Sequence, residues 1–76
     1  MQAYVLITAQ VSQVKEALQG LKQIEGVKKV DAVTGPYDII ALVEGENMNV
    51  IGEMVVSKIQ NVPGVSRTLT CLIVEA

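Results

Sequence analysis

The two halves of this chain repeat one another at an offset of 38 residues, half of the 76-residue length. Leu21, Ile24, Gly26 and Val27 recur as Ile59, Val62, Gly64 and Val65. Ala3 and Val5 recur as Ala41 and Val43, and Lys29 as Arg67. Such a repeat constrains the architecture strongly, because both halves must form the same unit and the two units must share one core. The unit reads as strand–helix–strand with a common helix-exit turn, so the chain order is βαββαβ.

Each element has its own local signal. Ala3 to Ala9 (AYVLITA) is short, apolar and β-branched, as expected of a buried strand. Ser12 is the expected N-cap of a first helix, whose Val14, Ala17, Leu18 and Leu21 fall at the i, i+3, i+4, i+7 spacing of one helix face. Lys15, Glu16, Gln19 and Lys22 take the other side, and Gly20 predicts fraying toward the end. Gly26 closes the connection to a second strand, Val27 to Thr34. A third runs from Tyr37 to Val43, followed by the polar loop Glu44-Gly45-Glu46-Asn47. Asn47 is the expected N-cap of a second helix with Met48, Ile51, Val55 and Ile59 as its apolar stripe. Pro63-Gly64 ends that helix, because proline lacks the amide the helical ladder needs. The last strand is read as Val65 to Glu75.

The halves meet at Gly35-Pro36. Glycine tolerates positive φ and proline fixes φ near −65°, so the pair predicts a tight two-residue hairpin loop between the second and third strands. Two split βαβ units joined this way form a ferredoxin-like α+β sandwich, with both helices on one face of a four-stranded antiparallel sheet of order 4-1-3-2. The other face is left bare, although both faces of the third and fourth strands are apolar. Ile39, Ala41 and Val43 alternate with Ile40 and Leu42, and Leu69, Cys71 and Ile73 alternate with Thr68, Thr70, Leu72 and Val74. An uncovered apolar sheet face calls for a partner, most simply a second copy in a two-fold contact.

Size points the same way. Ordering a residue costs about 1.5 kcal/mol, which in so short a chain offsets most of the hydrophobic gain. The single cysteine, Cys71, cannot close an internal disulfide, and there is no Cys/His cluster for a structural metal. With half the residues apolar, self-association is the remaining source of stability.

Composition also narrows function. Six basic against eight acidic residues and two aromatics, Tyr4 and Tyr37, give neither a basic stripe nor a stacking platform for nucleic acid. No apolar run reaches the ~18 residues of a membrane span, and the N-terminus shows no signal peptide, so a cytoplasmic protein is expected. Histidine is absent, the six glycines are scattered, and Glu44 and Glu46 read as a solvated loop. These features predict no enzyme, no catalytic residue, no metal and no cofactor.

The polar group in an unusual place is Asp38, between Tyr37 and the apolar Ile39-Ile40. It could satisfy turn amides or face water, or it could receive an ammonium group at the rim of a subunit interface. Thr68 and Thr70, two apart on one strand face, could add hydroxyls or serve as ordinary strand formers. Tyr37 fits either an interface or a ligand wall.

Taken together, Gly26-Val27 with Val30 and Val33, the turn Thr34-Gly35-x-Tyr37-Asp38, then Pro63-Gly64-Val65 and Thr68-x-Thr70, resemble the effector-binding domain of Lrp/AsnC-type transcriptional regulators. This is the module called regulation of amino acid metabolism (RAM), and the resemblance covers residues 1–76 as a single domain. It implies sheet-to-sheet dimers assembling into rings, commonly octamers, that bind amino acids in clefts between dimers. On this resemblance Gly35, Tyr37, Asp38, Thr68 and Thr70 are the ligand-binding candidates. Pro36 stands where full-length regulators often carry a polar or charged residue, and it removes a backbone donor. The resemblance further implies a stand-alone effector domain without a helix-turn-helix, with no direct contact to DNA and an indirect role through co-assembly with a full-length Lrp/AsnC regulator. Two other readings share the fold. One is an interaction subunit that co-assembles without binding ligand; the other is a small dimeric α/β-barrel monooxygenase, which the lack of histidine and of pocket aromatics disfavours.

Overall fold

A computed structural model of the chain describes residues 1–75. Four strands, β1 (Gln2–Ala9), β2 (Val27–Ala32), β3 (Ile39–Glu44) and β4 (Val65–Leu72), form one antiparallel sheet of order β2-β3-β1-β4. Two helices, α1 (Val14–Lys22) and α2 (Met48–Ser57), cover one side of it. The expected βαββαβ order and the 4-1-3-2 sheet are therefore present, read from the opposite edge.

Period-two alternation in the central strands builds the core. Ala3, Val5 and Ile7 of β1 and Ile39, Ala41 and Val43 of β3 are fully buried beneath the helices. They meet Ala17 and Leu21 of α1, Ile51, Met54 and Val55 of α2, and Ile59 and Val62 just beyond it. The internal repeat survives in the backbone: Gly26 and Gly64, 38 residues apart, adopt φ of +98° and +97° at the same helix exit.

Several boundaries differ from the sequence-based expectation. The helix after β1 opens as a short 3-10 turn over Val11–Gln13, and Gln13 rather than Ser12 precedes α1, with no side-chain cap. Gly20 lies inside the helix, which runs on to Lys22. It provides space: a Cβ there would lie 2.7 Å from Val62 Cγ1, so the glycine lets α1 approach the segment that leaves α2. Asn47 caps α2 as expected, its Oδ1 accepting the Val50 amide at 2.9 Å. The α2 stripe is shifted, with Met48 55% exposed in the first turn and Met54 buried instead. Strand β4 ends at Leu72, short of Glu75, although the Ile73 amide still donates to the Gln2 carbonyl.

The largest departure is at the centre. β2 ends at Ala32 and β3 begins at Ile39, while the Val33 amide donates to the Asp38 carbonyl at 2.9 Å. The turn therefore comprises residues 34–37, four rather than two, and Tyr37 and Asp38 lie outside the strand. Gly35 sits in it at φ +124°, where a side chain would be strained although nothing crowds the position.

The face away from the helices is uncovered in the single chain. Register places Tyr4 beside Leu42 and Cys71, and Leu6 beside Ile40 and Leu69. Tyr4 is 45% and Leu69 49% exposed, so the centre of this face is apolar and open.

Candidate functional site

Asp38 joins the central turn to the rest of the sheet. Pairing of β1 with β3 stops at Ile7–Ile39, which leaves the next β1 amide on that side, Ala9 N–H, without a strand carbonyl. The Asp38 side chain takes the carbonyl's place, Oδ2 accepting the Ala9 amide at 2.8 Å. The Asp38 backbone is engaged on both sides as well, its amide donating to the Ile7 carbonyl at 2.9 Å and its carbonyl accepting from Val33. A half-buried aspartate is thus held by three bonds. Its second carboxylate oxygen, Oδ1, has no hydrogen-bond or ion-pair partner among the described residues.

Beside the turn lies a cavity of about 310 Å³ lined by Thr8, Pro36, Tyr37, Arg67, Thr68 and Leu69. The antiparallel register of β1 and β4 sets Thr8 directly opposite Arg67, and the ladder shifts register immediately after, between Thr8 and Ala9. The Thr8 hydroxyl oxygen is shielded from solvent and has no hydrogen-bond partner. The Thr68 hydroxyl accepts from Gln60 Nε2 at 3.0 Å.

Of the residues singled out from the sequence, Tyr37 and Thr68 share this cavity, and Asp38 and Gly35 adjoin it in the turn that carries Pro36 and Tyr37. Thr70 lies elsewhere. Although Thr68 and Thr70 share the helix-ward face of β4, opposite Ile7 and Val5, Thr70 lines an apolar groove against α2 with Met48, Val56 and Leu72. Three lining residues were missed, Thr8, Arg67 and Leu69. The signal available for Arg67 was its place within the Val65 to Thr70 motif, where it served only to mark the repeat. Thr8 carried no signal before the β1–β4 register was known.

A larger cavity, about 440 Å³, lies at the opposite end of β1, where Glu25, Glu44 and Glu53 surround Val50 and Met54, with Lys58 at its edge. No cluster of metal-ligating side chains occurs there or elsewhere among the described residues.

The profile of the Lrp/AsnC ligand binding domain matches residues 2–76. The chain belongs to the Lrp/AsnC ligand-binding family. An uncharacterised helix-turn-helix-type transcriptional regulator of Pyrococcus furiosus is 34% identical over 56 residues, 74% of this chain and 37% of the regulator. A homocitrate synthase of Sulfurisphaera tokodaii is 40% identical over 55 residues, 72% of this chain and 12% of the synthase. The chain thus spans well under half the length of these curated relatives. Among solved structures, a protein of Thermus thermophilus superposes with a TM-score of 0.92 at 33% identity, covering 99% of this chain and 94% of that one. The feast or famine regulatory protein of M. tuberculosis, complexed with L-methionine, superposes with a TM-score of 0.85 at 26% identity, covering 99% and 50%. No helix among the described residues is long and apolar enough to cross a membrane.

Proposed function

We propose that this Lrp/AsnC ligand-binding domain is a homo-oligomeric amino-acid-binding module whose ligand is received beside the Gly35–Asp38 turn. The observation that carries this reading is the turn itself. Asp38 is fixed by three hydrogen bonds yet keeps one carboxylate oxygen free, next to a cavity of amino-acid size. A fixed anion with an open acceptor is suited to an ammonium group, since its orientation is already set before the ligand arrives. The methionine complex of the M. tuberculosis relative supports the same ligand class. Gly35, Tyr37 and Thr68 complete the site from the turn and β4; Thr70 would join it only across an interface.

The open sheet face supports pairing of two copies through Tyr4, Leu6, Ile40, Leu42 and Leu69, with pairs assembling further into rings. The module would act in amino acid metabolism without turnover of its own, indirectly through assembly with a full-length relative. Its expected compartment is the cytoplasm.

Native mass spectrometry of the purified protein, alone and with each of the twenty L-amino acids, tests this. An amino acid bound at a fixed ratio to subunits is the expected result. A stable assembly that holds none of them would overturn the sensor and leave an association subunit, and a monomer would remove the argument from the bare face.

A further inference from the structure

The open sheet face is apolar at its centre but charged on both of its edge strands. Asp31 of β2 stands opposite Ile40, which stands opposite Leu6, so Asp31 shares the face that carries Leu6, Ile40 and Leu69. Arg67 of β4 stands opposite Thr8, the next same-face position beyond Leu6 on β1. In the order β2-β3-β1-β4 the two residues lie on opposite edges of the sheet but toward the same end, the one that carries the central turn. Their strands are separated by about 14 Å, with Ile40 and Leu6 between them, so Asp31 and Arg67 of one chain do not meet. Arg67 accordingly has no ion-pair partner among the described residues. Asp31 has one, Lys29, at 3.7 Å from its Oδ2, in a pair whose side chains are 70% and 56% exposed. So exposed a contact is worth little, and Oδ1 is left without a partner among the described residues.

We propose that two copies pair across this face about a two-fold axis parallel to the strands, with Arg67 of each copy meeting Asp31 of the other. Rotation about such an axis, running between β3 and β1, exchanges the edges and keeps the ends. β4 of one sheet then lies over β2 of the other, turn end over turn end. The apolar centres stack at a separation of about 10 Å, and both ion pairs form at once, one on each rim. Arg67 stands two residues beyond the row of Asp31, about 7 Å along the strand, an offset that the long arginine side chain covers. The other face-to-face two-fold, perpendicular to the strands, exchanges the ends instead. It lays β4 over β4, where Leu69 and Cys71 offer Arg67 no anion, and β3 over β3, where Glu44 approaches the Asp38 end of the second copy. Charge therefore selects the first arrangement. At a rim, complementary charges set orientation and reject wrong partners more than they add affinity. This inference rests on the pairing through the open face read above. It names the residues that fix the geometry of that pairing and limit it to chains with an acid and a base at these two edges.

Charge reversal read by native mass spectrometry tests the assignment on wild type, Asp31→Arg, Arg67→Asp and the double exchange Asp31→Arg/Arg67→Asp. Each single variant sets like charges against each other at both rims. Its pairing should weaken by about tenfold or more, read as the protein concentration at which half the chains are paired. Mixed together, the two single variants should pair with one another at close to wild-type strength and form few pairs of their own kind, because every contact then joins a base to an acid. The double exchange should pair with itself and not with wild type. Recovery of pairing in the mixture and in the double exchange also establishes that each chain folds. If wild type pairs but the mixed variants assort without preference, or do not pair at all, the Arg67–Asp31 contact is overturned while pairing through the open face stands. If wild type is monomeric at every concentration, both readings fall together.

Discussion

Asp38 carries two roles that substitution can separate. Asparagine in its place keeps an oxygen for the Ala9 amide but removes the charge, so Asp38→Asn should melt close to wild type while its affinity for amino acids drops. Alanine removes both. Leaving a part-buried amide unpaired costs about 1–3 kcal/mol, so Asp38→Ala should also lower the melting temperature, by about 4–8 °C for each kcal/mol in a domain of this size. Thermal unfolding run beside calorimetric titration distinguishes the two variants, and equal melting of both would show that the Ala9 bond contributes nothing. Thr8→Val makes the opposite test. It replaces an unpaired, shielded hydroxyl by a methyl of similar shape, so the urea midpoint without ligand should stay level or rise, by up to about 1 kcal/mol of stability. A fall of that size would mean that the hydroxyl is paired in the assembled protein.

At the level of elements, the two helices illustrate how local preference and packing compete. Asn47→Ala removes the only side-chain cap among the described helix starts and should cost about 1 kcal/mol, read as a lower urea midpoint. Gly20→Ala should be destabilising although alanine is the better helix former by about 1 kcal/mol, because the added methyl must displace a stiff valine and overpacking costs about 1–3 kcal/mol. Adding Val62→Ala should recover part of that loss, and an alanine variant as stable as wild type would contradict the packing role. These cases also show what the sequence discloses. Strand and helix order were legible because alternation in AYVLITA and IIALV, and the repeated glycine exits, are local signals. The sheet order followed from the repeat. The length of the central turn was not legible, since it depends on the Asp38 side chain substituting for a strand carbonyl toward β1, a segment distant in sequence. Met48 and Met54 exchanged roles because the stripe alone does not fix where the first turn of α2 meets the sheet. The site was half legible. Gly35, Tyr37 and Asp38 form one contiguous motif, whereas Thr8 and Arg67 meet only through the β1–β4 ladder, and the sequence spacing of Thr68 and Thr70 gave no sign that they serve different cavities.

For the whole molecule, the open side of the sheet governs behaviour. Tyr4 lies at its centre, flanked by Leu42 and Cys71 and nearly half exposed, so a charge there disturbs nothing inside the single chain but opposes burial against a second copy. Tyr4→Lys should therefore shift native mass spectra from the assembled form toward the monomer, with a far-ultraviolet circular dichroism spectrum like that of wild type; an unchanged mass would exclude this face as the contact. β1 connects this face to the site. Its Tyr4 and Leu6 side chains line the exposed surface, and its Ile7 carbonyl and Ala9 amide hold the turn through Asp38. In an assembly built on that face, one strand serves both equilibria, and any preference of ligand for the joined form must appear reciprocally as tighter joining in the presence of ligand. The concentration of amino acid giving half-occupancy would then fall as the protein itself becomes more abundant. Expression level would set the threshold of the sensor, so that a cell could retune its response to nutrients by changing the dose of the receptor without altering a single contact in it.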